Sequence, residues 1–244
     1  MLSDVAIIGG TGVGDALNSL SGSAIHVPTS AGQLAGKLIE HSSGPILLVS
    51  RHSAGHKVPP HAVNYHAIAL GLKKAGVKFC FSTAAVGGLR RDWPIGTMVA
   101  VSDFLDLTGR HSTLFDREVV HTDFSQPFSA CGRKALLIAA QKMSVAIQER
   151  GIYICENGPR YETPHEIEML KHVGDMVGMT AASEAILLHE AGVEYSCLAV
   201  ITNMAAGFED VPLSHEEVVA EMKRVSEIVV KLLLGAVDIV RGEE

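Results

Sequence analysis

Five short apolar runs in this chain each deliver a small polar, glycine or cationic residue at their carboxyl end. Ile8 leads into Gly9-Gly-Thr11-Gly, Ser50 into Arg51-His52, Phe81 into Ser82-Thr83-Ala-Ala-Val-Gly-Gly88, Val177 into Gly178-Met179-Thr180, and Ile201 into Thr202-Asn203. Hydroxyls and glycine-rich backbone supply hydrogen-bond donors, and an arginine adds a planar charged fork. If these ends share a pocket, Thr11, Arg51, His52 and Thr180 make an anion site. Taken singly, each feature has a plainer explanation. A Gly-rich first turn is often only a tight strand-to-helix connection, a lone Arg is more often in a surface ion pair, and a lone Met such as Met179 is more often core. Their joint occurrence carries the anion reading, because ligands of open α/β sheets bind outside the carboxyl ends of the strands.

Generic motifs do not compete well with it. Gly10-Thr-Gly12-Val-Gly14 is GxGxG, not GxGxxG, and no acid sits at the ribose-binding spacing of ~20 residues before Glu40. There is no GxxxxGK[ST] loop and no GxSxG nucleophile elbow. His52, His56, His61 and His66 recur every four or five residues, but no HExxH accompanies them, so no metal is expected.

Alternating short and long patterns must position these residues. Strands are expected at Val5–Ile8, Pro45–Ser50, Lys78–Thr83, Thr97–Ser102, Met176–Met179 and Tyr195–Thr202. Helices are expected at Val63–Ala75, Gly132–Arg150, His165–His172, Ala182–Ala191 and Ser214–Val240. Continuous apolar runs such as Val5-Ala-Ile-Ile8 and Leu198-Ala-Val-Ile201 suit strands covered by helices on both faces. Residues 103–130 read as a long ordered loop. With no repeat, linker or low-complexity tract, residues 1–244 are expected to form a single α/β domain.

Composition bounds the function. The chain has 244 residues, 20 Lys+Arg against 27 Asp+Glu, and a net charge of −7, which gives no footprint for nucleic acid or an anionic membrane. Hydrophobic residues make up 47% and mean hydropathy is +0.25, too apolar for a disordered chain. No run approaches the ~18 apolar residues of a membrane span, and with Met1-Leu-Ser-Asp4 lacking a basic stretch no signal peptide is expected. Four widely spaced cysteines, with Cys80 and Cys197 inside apolar runs, suit a reduced cytoplasmic protein.

Seven segments together resemble one family. Ile7-Ile-Gly-Gly-Thr-Gly12, Arg51-His52 with His56, Val63-Asn-Tyr65, Ser82-Thr-Ala-Ala-Val-Gly-Gly-Leu89, Gly158-Pro-Arg-Tyr-Glu-Thr163, Gly178-Met-Thr180 and Ile201-Thr-Asn203 stand in the order found in trimeric purine nucleoside phosphorylases. The look is nearest to the methylthioadenosine/methylthioinosine phosphorylase branch. The resemblance implies a three-layer phosphorylase-type fold with a mixed twisted central sheet flanked by helices. It implies phosphorolysis of a purine nucleoside, a homotrimer or dimer of trimers, inorganic phosphate as co-substrate and no cofactor. By motif, Thr11, Arg51, His52 and Thr180 hold phosphate with the backbone around Ala85. Met179 packs on the ribose with Thr83 nearby, and Tyr161, Glu162 and Asn203 meet the base beside Ala205. Catalysis then falls to Asn203, Glu162 and His52.

Substrate choice turns on the same positions. A 6-oxopurine offers N1–H to an ionised Glu162 and O6 or N7 to the Asn203 amide. Adenine-cleaving relatives carry Asp where Asn203 stands and another near Ala205, so the resemblance implies hypoxanthine- or guanine-type bases. Whole-chain likeness favours S-methyl-5′-thioinosine, and His121 is expected to reach a neighbouring subunit's pocket. His215 departs from the thio pattern and keeps inosine and guanosine in play. Ser53 and Ala84 are further departures, the second weakening the phosphate site. A nucleosidase that uses water and a dinucleotide-binding protein are the alternatives; methylthioadenosine phosphorolysis is the third.

Overall fold

The structure, a computed structural model, describes residues 2–52, 57–208 and 212–242. The strands are β1 (Val5–Gly9), β2 (Ser23–Thr29), β3 (Gly32–Ile39), β4 (Ile46–Ser50), β5 (Phe79–Gly88), β6 (Met98–Ala100), β7 (Asp103–Asp106), β8 (Ile147–Gln148), β9 (Ile152–Cys155), β10 (Met176–Gly178) and β11 (Glu194–Met204). The helices are α1 (Val13–Asn18), α2 (Tyr65–Ala75), α3 (Ala130–Lys142), α4 (Pro164–Leu170), α5 (Ala181–Glu190) and α6 (His215–Val240). Among the described residues all eleven strands join one mixed sheet in the order β2-β3-β4-β1-β5-β10-β9-β7, with β11 on β5 and β6, and β8 on β6.

Side chains two apart share a face of a strand, and the sheet is covered on both. Ala6, Ile8, Leu47 and Val49 pack under α2 and α5. Val5, Ile7, Ile46 and Leu48 pack under α1, α3 and α6. Each fully buried Val, Leu or Ile contributes about 1.5–3 kcal/mol, which explains why these strands read as unbroken apolar runs. The result is the three-layer α/β arrangement with a mixed sheet.

Strand β5 divides the sheet. Its first half pairs in parallel with β1 through Phe79–Ser82, while Gly87 and Gly88 pair antiparallel with β10. Strand β11 follows it along its whole length on the other side. Between the end of β1 and the start of the β10 pairing, residues 83–86 lose their neighbour on that side, and the sheet opens there. An opening of this kind at a change of neighbours is where α/β sheets take ligands.

Several sequence expectations are corrected. Strand β5 runs to Gly88, not Thr83, so the Ala84–Gly88 stretch is strand and not the turn after one. The helix expected over 132–150 stops at Lys142, because Ser144 adopts φ 54°, and Ile147–Gln148 then pairs with β6. The expected loop over 103–130 begins as edge strand β7 on β9. The β2–β3 hairpin, β9 and α1 are additions. The hairpin buries only Val27, Leu34 and Ile39 strongly, so its periodicity is faint.

Candidate active site

The opening beside β5 is a cavity of about 380 Å³. Thr11 follows β1, Arg51 and His52 follow β4, and Met179 and Thr180 follow β10, so the chain ends the sequence singles out meet on its wall. Ala85 lies on the wall within β5, and Asn203 and Ala205 come from β11 and its end. Tyr161 and Glu162 come from the segment before α4, and His215 from the start of α6. Two assigned residues stay off the wall. Thr83 is fully buried behind it, its hydroxyl accepting from Gly10 N at 3.0 Å. His121 is exposed on the 107–129 segment. His56 and Ser53 lie outside the described residues.

Arg51 requires the largest correction. Its fork does not face the anion site whole: Nε and Nη2 donate to the two carboxylate oxygens of Glu184 at 2.5 and 2.9 Å, and Nη1 donates to Thr83 O at 2.9 Å. Both side chains are 1% exposed. Tyr195 donates to Glu184 Oε2 at 2.6 Å, and its oxygen lies 2.6 Å from that of Ser82. Burial works against the guanidinium charge, but the Glu184 carboxylate overrides it and holds the proton affinity above the ordinary arginine value. A guanidinium has five N–H groups; the three bonds above leave one on each terminal nitrogen for a ligand. Gly10 is required by this packing, since a Cβ there would sit 2.5 Å from Arg51 Nη1 and 2.7 Å from Thr83 O. Glu184 and Lys57, which lines the cavity, carry no local signal in the sequence; Glu184 lies 133 residues from Arg51.

Helix ends add donors. Helices α2, α3, α4 and α6 each have a side-chain N-cap, from Asn64, Ser129, Thr163 and Ser214. Helix α5 has none: Thr180 occupies its N-cap without a side-chain cap bond. The N-terminal end of a helix favours an anion, so the Thr180 hydroxyl, which lines the cavity at the head of α5, suits the same guest as Thr11. His52 Nδ1 donates to Val58 O at 2.8 Å, which fixes the ring against the following loop.

The remaining wall suits a polar, planar ligand. Glu162 is 7% exposed, and its Oε1 is a buried acceptor with no partner. Burial raises the carboxyl's pKa, only partly offset by a backbone hydrogen bond, with Glu156 and Glu166 raising it further and Arg160 opposing. Asn203 is held more firmly: its Oδ1 accepts from Thr202 Oγ1 at 3.0 Å and its Nδ2 donates to Met204 O at 2.9 Å. A second amide hydrogen is left for a ligand. Pairing of β11 with β5 slips between Ile201 and Asn203, and a bulge of this type re-aims a side chain.

A folded-state carboxyl with a raised pKa binds its proton more tightly than the unfolded chain does. Its charge therefore costs stability above the ordinary carboxylate range, and that cost fades as pH falls through it. Glu162→Gln should thus stabilise the empty protein by on the order of 1 kcal/mol at neutral pH, with the gain shrinking toward pH 4. Urea titrations at the two pH values measure this; an equal or absent gain at both would show that Glu162 is not held ionised and unpartnered.

A second cavity of about 400 Å³ shares Thr202, Asn203, Ala205 and Leu213 with the first. Its cation, Arg224, is paired with Glu221 at 2.6 Å, so it offers an anion little. Among the described residues no group of three or more His, Cys, Asp or Glu is placed to hold a metal ion.

The sequence matches the profile of the Phosphorylase superfamily over residues 4–238. The chain belongs to that superfamily. Within it, the chain is 36% identical over 251 residues to a 6-oxopurine nucleoside phosphorylase of Pyrococcus furiosus, covering 98% of this chain and 94% of the relative. It is 38% identical over 209 residues to a probable S-methyl-5′-thioinosine phosphorylase of Pseudomonas syringae, covering 83% and 85%. A solved structure, methylthioadenosine phosphorylase from Schistosoma mansoni in complex with adenine, superposes with a TM-score of 0.92 at 28% identity, covering 99% of this chain and 93% of that one.

Proposed function

We propose that this protein is a phosphorylase of 6-oxopurine nucleosides, with S-methyl-5′-thioinosine as leading substrate, yielding hypoxanthine and methylthioribose 1-phosphate. The observation that carries the reading is one cavity holding anion donors (Thr11, Thr180 and the remaining Arg51 N–H groups) together with His52, Glu162 and Asn203. The names of the Pyrococcus and Pseudomonas relatives support it.

In this reading a phosphate oxygen forms a bond to the anomeric carbon as the bond from that carbon to the purine nitrogen breaks. The sugar becomes oxocarbenium-like beside the phosphate, and the electron pair leaves with the base. The proton of hydrogen phosphate ends on the departing purine. Asn203 donates to the charge gathering at N7 or O6, and the orphaned Glu162 Oε1 accepts N1–H. Adenine would present a lone pair to that carboxylate, and unpaired polar groups discriminate strongly. Positioning supplies much of the remainder, so phosphate serves as co-substrate and no cofactor or metal is called for.

Pro59, Pro60, Leu213 and Val218 line the cavity and suit a methylthio group. His215 lies on the same wall and favours a second reading, in which inosine or guanosine presents a 5′-hydroxyl. Initial rates on methylthioinosine, inosine, guanosine and methylthioadenosine, with and without phosphate, test both. Turnover without phosphate would mean a nucleosidase, and preference for methylthioadenosine would overturn the base assignment. His215→Leu should lower kcat/KM for inosine about tenfold, the worth of one hydrogen bond, and leave methylthioinosine nearly unchanged. Equal losses on both would detach His215 from the 5′ end.

We further propose a cytoplasmic homotrimer or dimer of trimers. The exposed Leu105, Ile152, Met169 and Val173 near edge strand β7 and helix α4 support burial against another copy, and all four cysteines are free thiols. In that assembly His121 belongs to a neighbour's cavity.

A further inference from the structure

We infer that Arg110 is a positioning residue for the cavity: it ties the Met179 wall to the Tyr161–Glu162 wall through one guanidinium, so that the docked 107–129 segment sets the shape of the nucleoside site. Arg110 lies past β7, where a short turn prepares it: Asp106 Oδ1 accepts from Thr108 N at 2.9 Å, and Thr108 Oγ1 from Arg110 N at 3.1 Å. From there its fork reaches three other parts of the chain. Nε and Nη2 donate to the side-chain and backbone oxygens of Asn157 at 2.9 and 2.6 Å. Of its two hydrogens, Nη1 donates one to Met179 O at 2.9 Å and shares the other between Ser183 Oγ at 3.2 Å and Tyr65 Oη at 3.3 Å. The guanidinium carbon also lies 5.4 Å from the centre of the Tyr65 ring.

Each acceptor connects to the cavity through its neighbours; Tyr65 Oη donates to Pro60 O at 2.9 Å, and Pro60 lines the cavity. Asn157 begins the stretch that continues as Gly158-Pro159 and carries Tyr161 and Glu162; Met179 is itself on the wall; Ser183 precedes Glu184, the partner of Arg51. The two walls already touch closely. Gly158 has φ +64° and packs where a Cβ would fall on the Met179 sulfur. Among the described residues Arg110 makes no ion pair; its hydrogen-bond partners are neutral carbonyl, amide and hydroxyl oxygens. That pattern is what a geometric clamp needs, since a planar fork fixes several acceptors at once and an ammonium does not.

The inference rests on the phosphorolysis reading for its substrate but is tested through binding as well as turnover. Inosine and inorganic phosphate are titrated separately into wild type, Arg110→Lys and Arg110→Met, and steady-state rates are measured in parallel. Both variants should weaken inosine binding about tenfold and lower kcat about tenfold to a hundredfold, as a small misplacement of the site does. Phosphate affinity should change less than about twofold, and lysine, which keeps the charge, should not rescue. If Arg110→Met does not fold, Asn157→Ala carries the test with a smaller loss in the same nucleoside parameters. Unchanged inosine binding and kcat, parallel losses for phosphate and nucleoside, or rescue by lysine each overturn the clamp. Wild type that binds inosine but does not cleave it with phosphate overturns the function instead, while the binding shift still decides the role of Arg110.

Discussion

Arg51→Ala is expected to destabilise the protein by about 3–5 kcal/mol and to abolish phosphate-dependent turnover together. The first loss arises because the variant strands Glu184, whose side chain is 1% exposed, with Tyr195 as its remaining strong donor. Removing one member of a buried pair leaves a charge that water cannot reach. The second loss arises because the two remaining Arg51 N–H groups belong to the proposed anion site. The two effects separate in Arg51→Met combined with Glu184→Leu. Removing both charges and refilling the volume is often near neutral for stability, so urea unfolding should return to within about 2 kcal/mol of wild type while phosphate-dependent turnover stays lost. A single alanine variant that unfolds like wild type would contradict the pair's burial. A double variant with a normal phosphate requirement would remove Arg51 from the anion site.

The Arg51–Glu184 pair also marks where sequence reading stops. Residues that share a short motif with their partners were legible: Thr11, Arg51-His52, Met179-Thr180 and Thr202-Asn203 all reach the cavity because a strand delivers them to the same edge. What a side chain does on arrival depends on neighbours far away in the chain. A lone arginine reads equally as ligand contact or ion pair, and Arg51 is the second with part of the first left over. Thr83 has the right type and place in the chain, yet it supports Gly10 from behind the wall. Elements followed the same logic. Strands buried on both faces, such as β1 and β11, announce themselves as apolar runs. The polar β2–β3 hairpin and the two-residue β8 are set by pairing partners, which local periodicity does not encode. Helix α3 ends at a left-handed Ser144, a residue with no strong stop signal, so an apolar pattern through Val145 and Ile147 reads as continued helix.

Asn203→Ala should lower kcat for 6-oxopurine nucleosides by about 10²–10³ with a much smaller change in KM, the size seen when one preorganised donor to developing charge is removed. The asymmetry follows from timing. Ground-state hypoxanthine in a nucleoside is neutral, and negative charge collects at N7 and O6 only as the glycosidic bond breaks, so in the proposed reaction the amide works hardest in the transition state. The protein's own bonds set the amide in place: the bulge in β11 re-aims the side chain, Thr202 holds its oxygen and Met204 takes one amide hydrogen. Little reorganisation then remains when the base departs. Asn203→Asp tests the sign of the interaction. A carboxylate would repel the charge on a leaving 6-oxopurine but accept from the 6-amino group of adenine, so kcat/KM should fall on inosine and rise on methylthioadenosine relative to it. Should Asn203→Ala raise KM with kcat intact, the amide would be binding the substrate uniformly, and charge stabilisation at the leaving base would have to come from elsewhere on the wall.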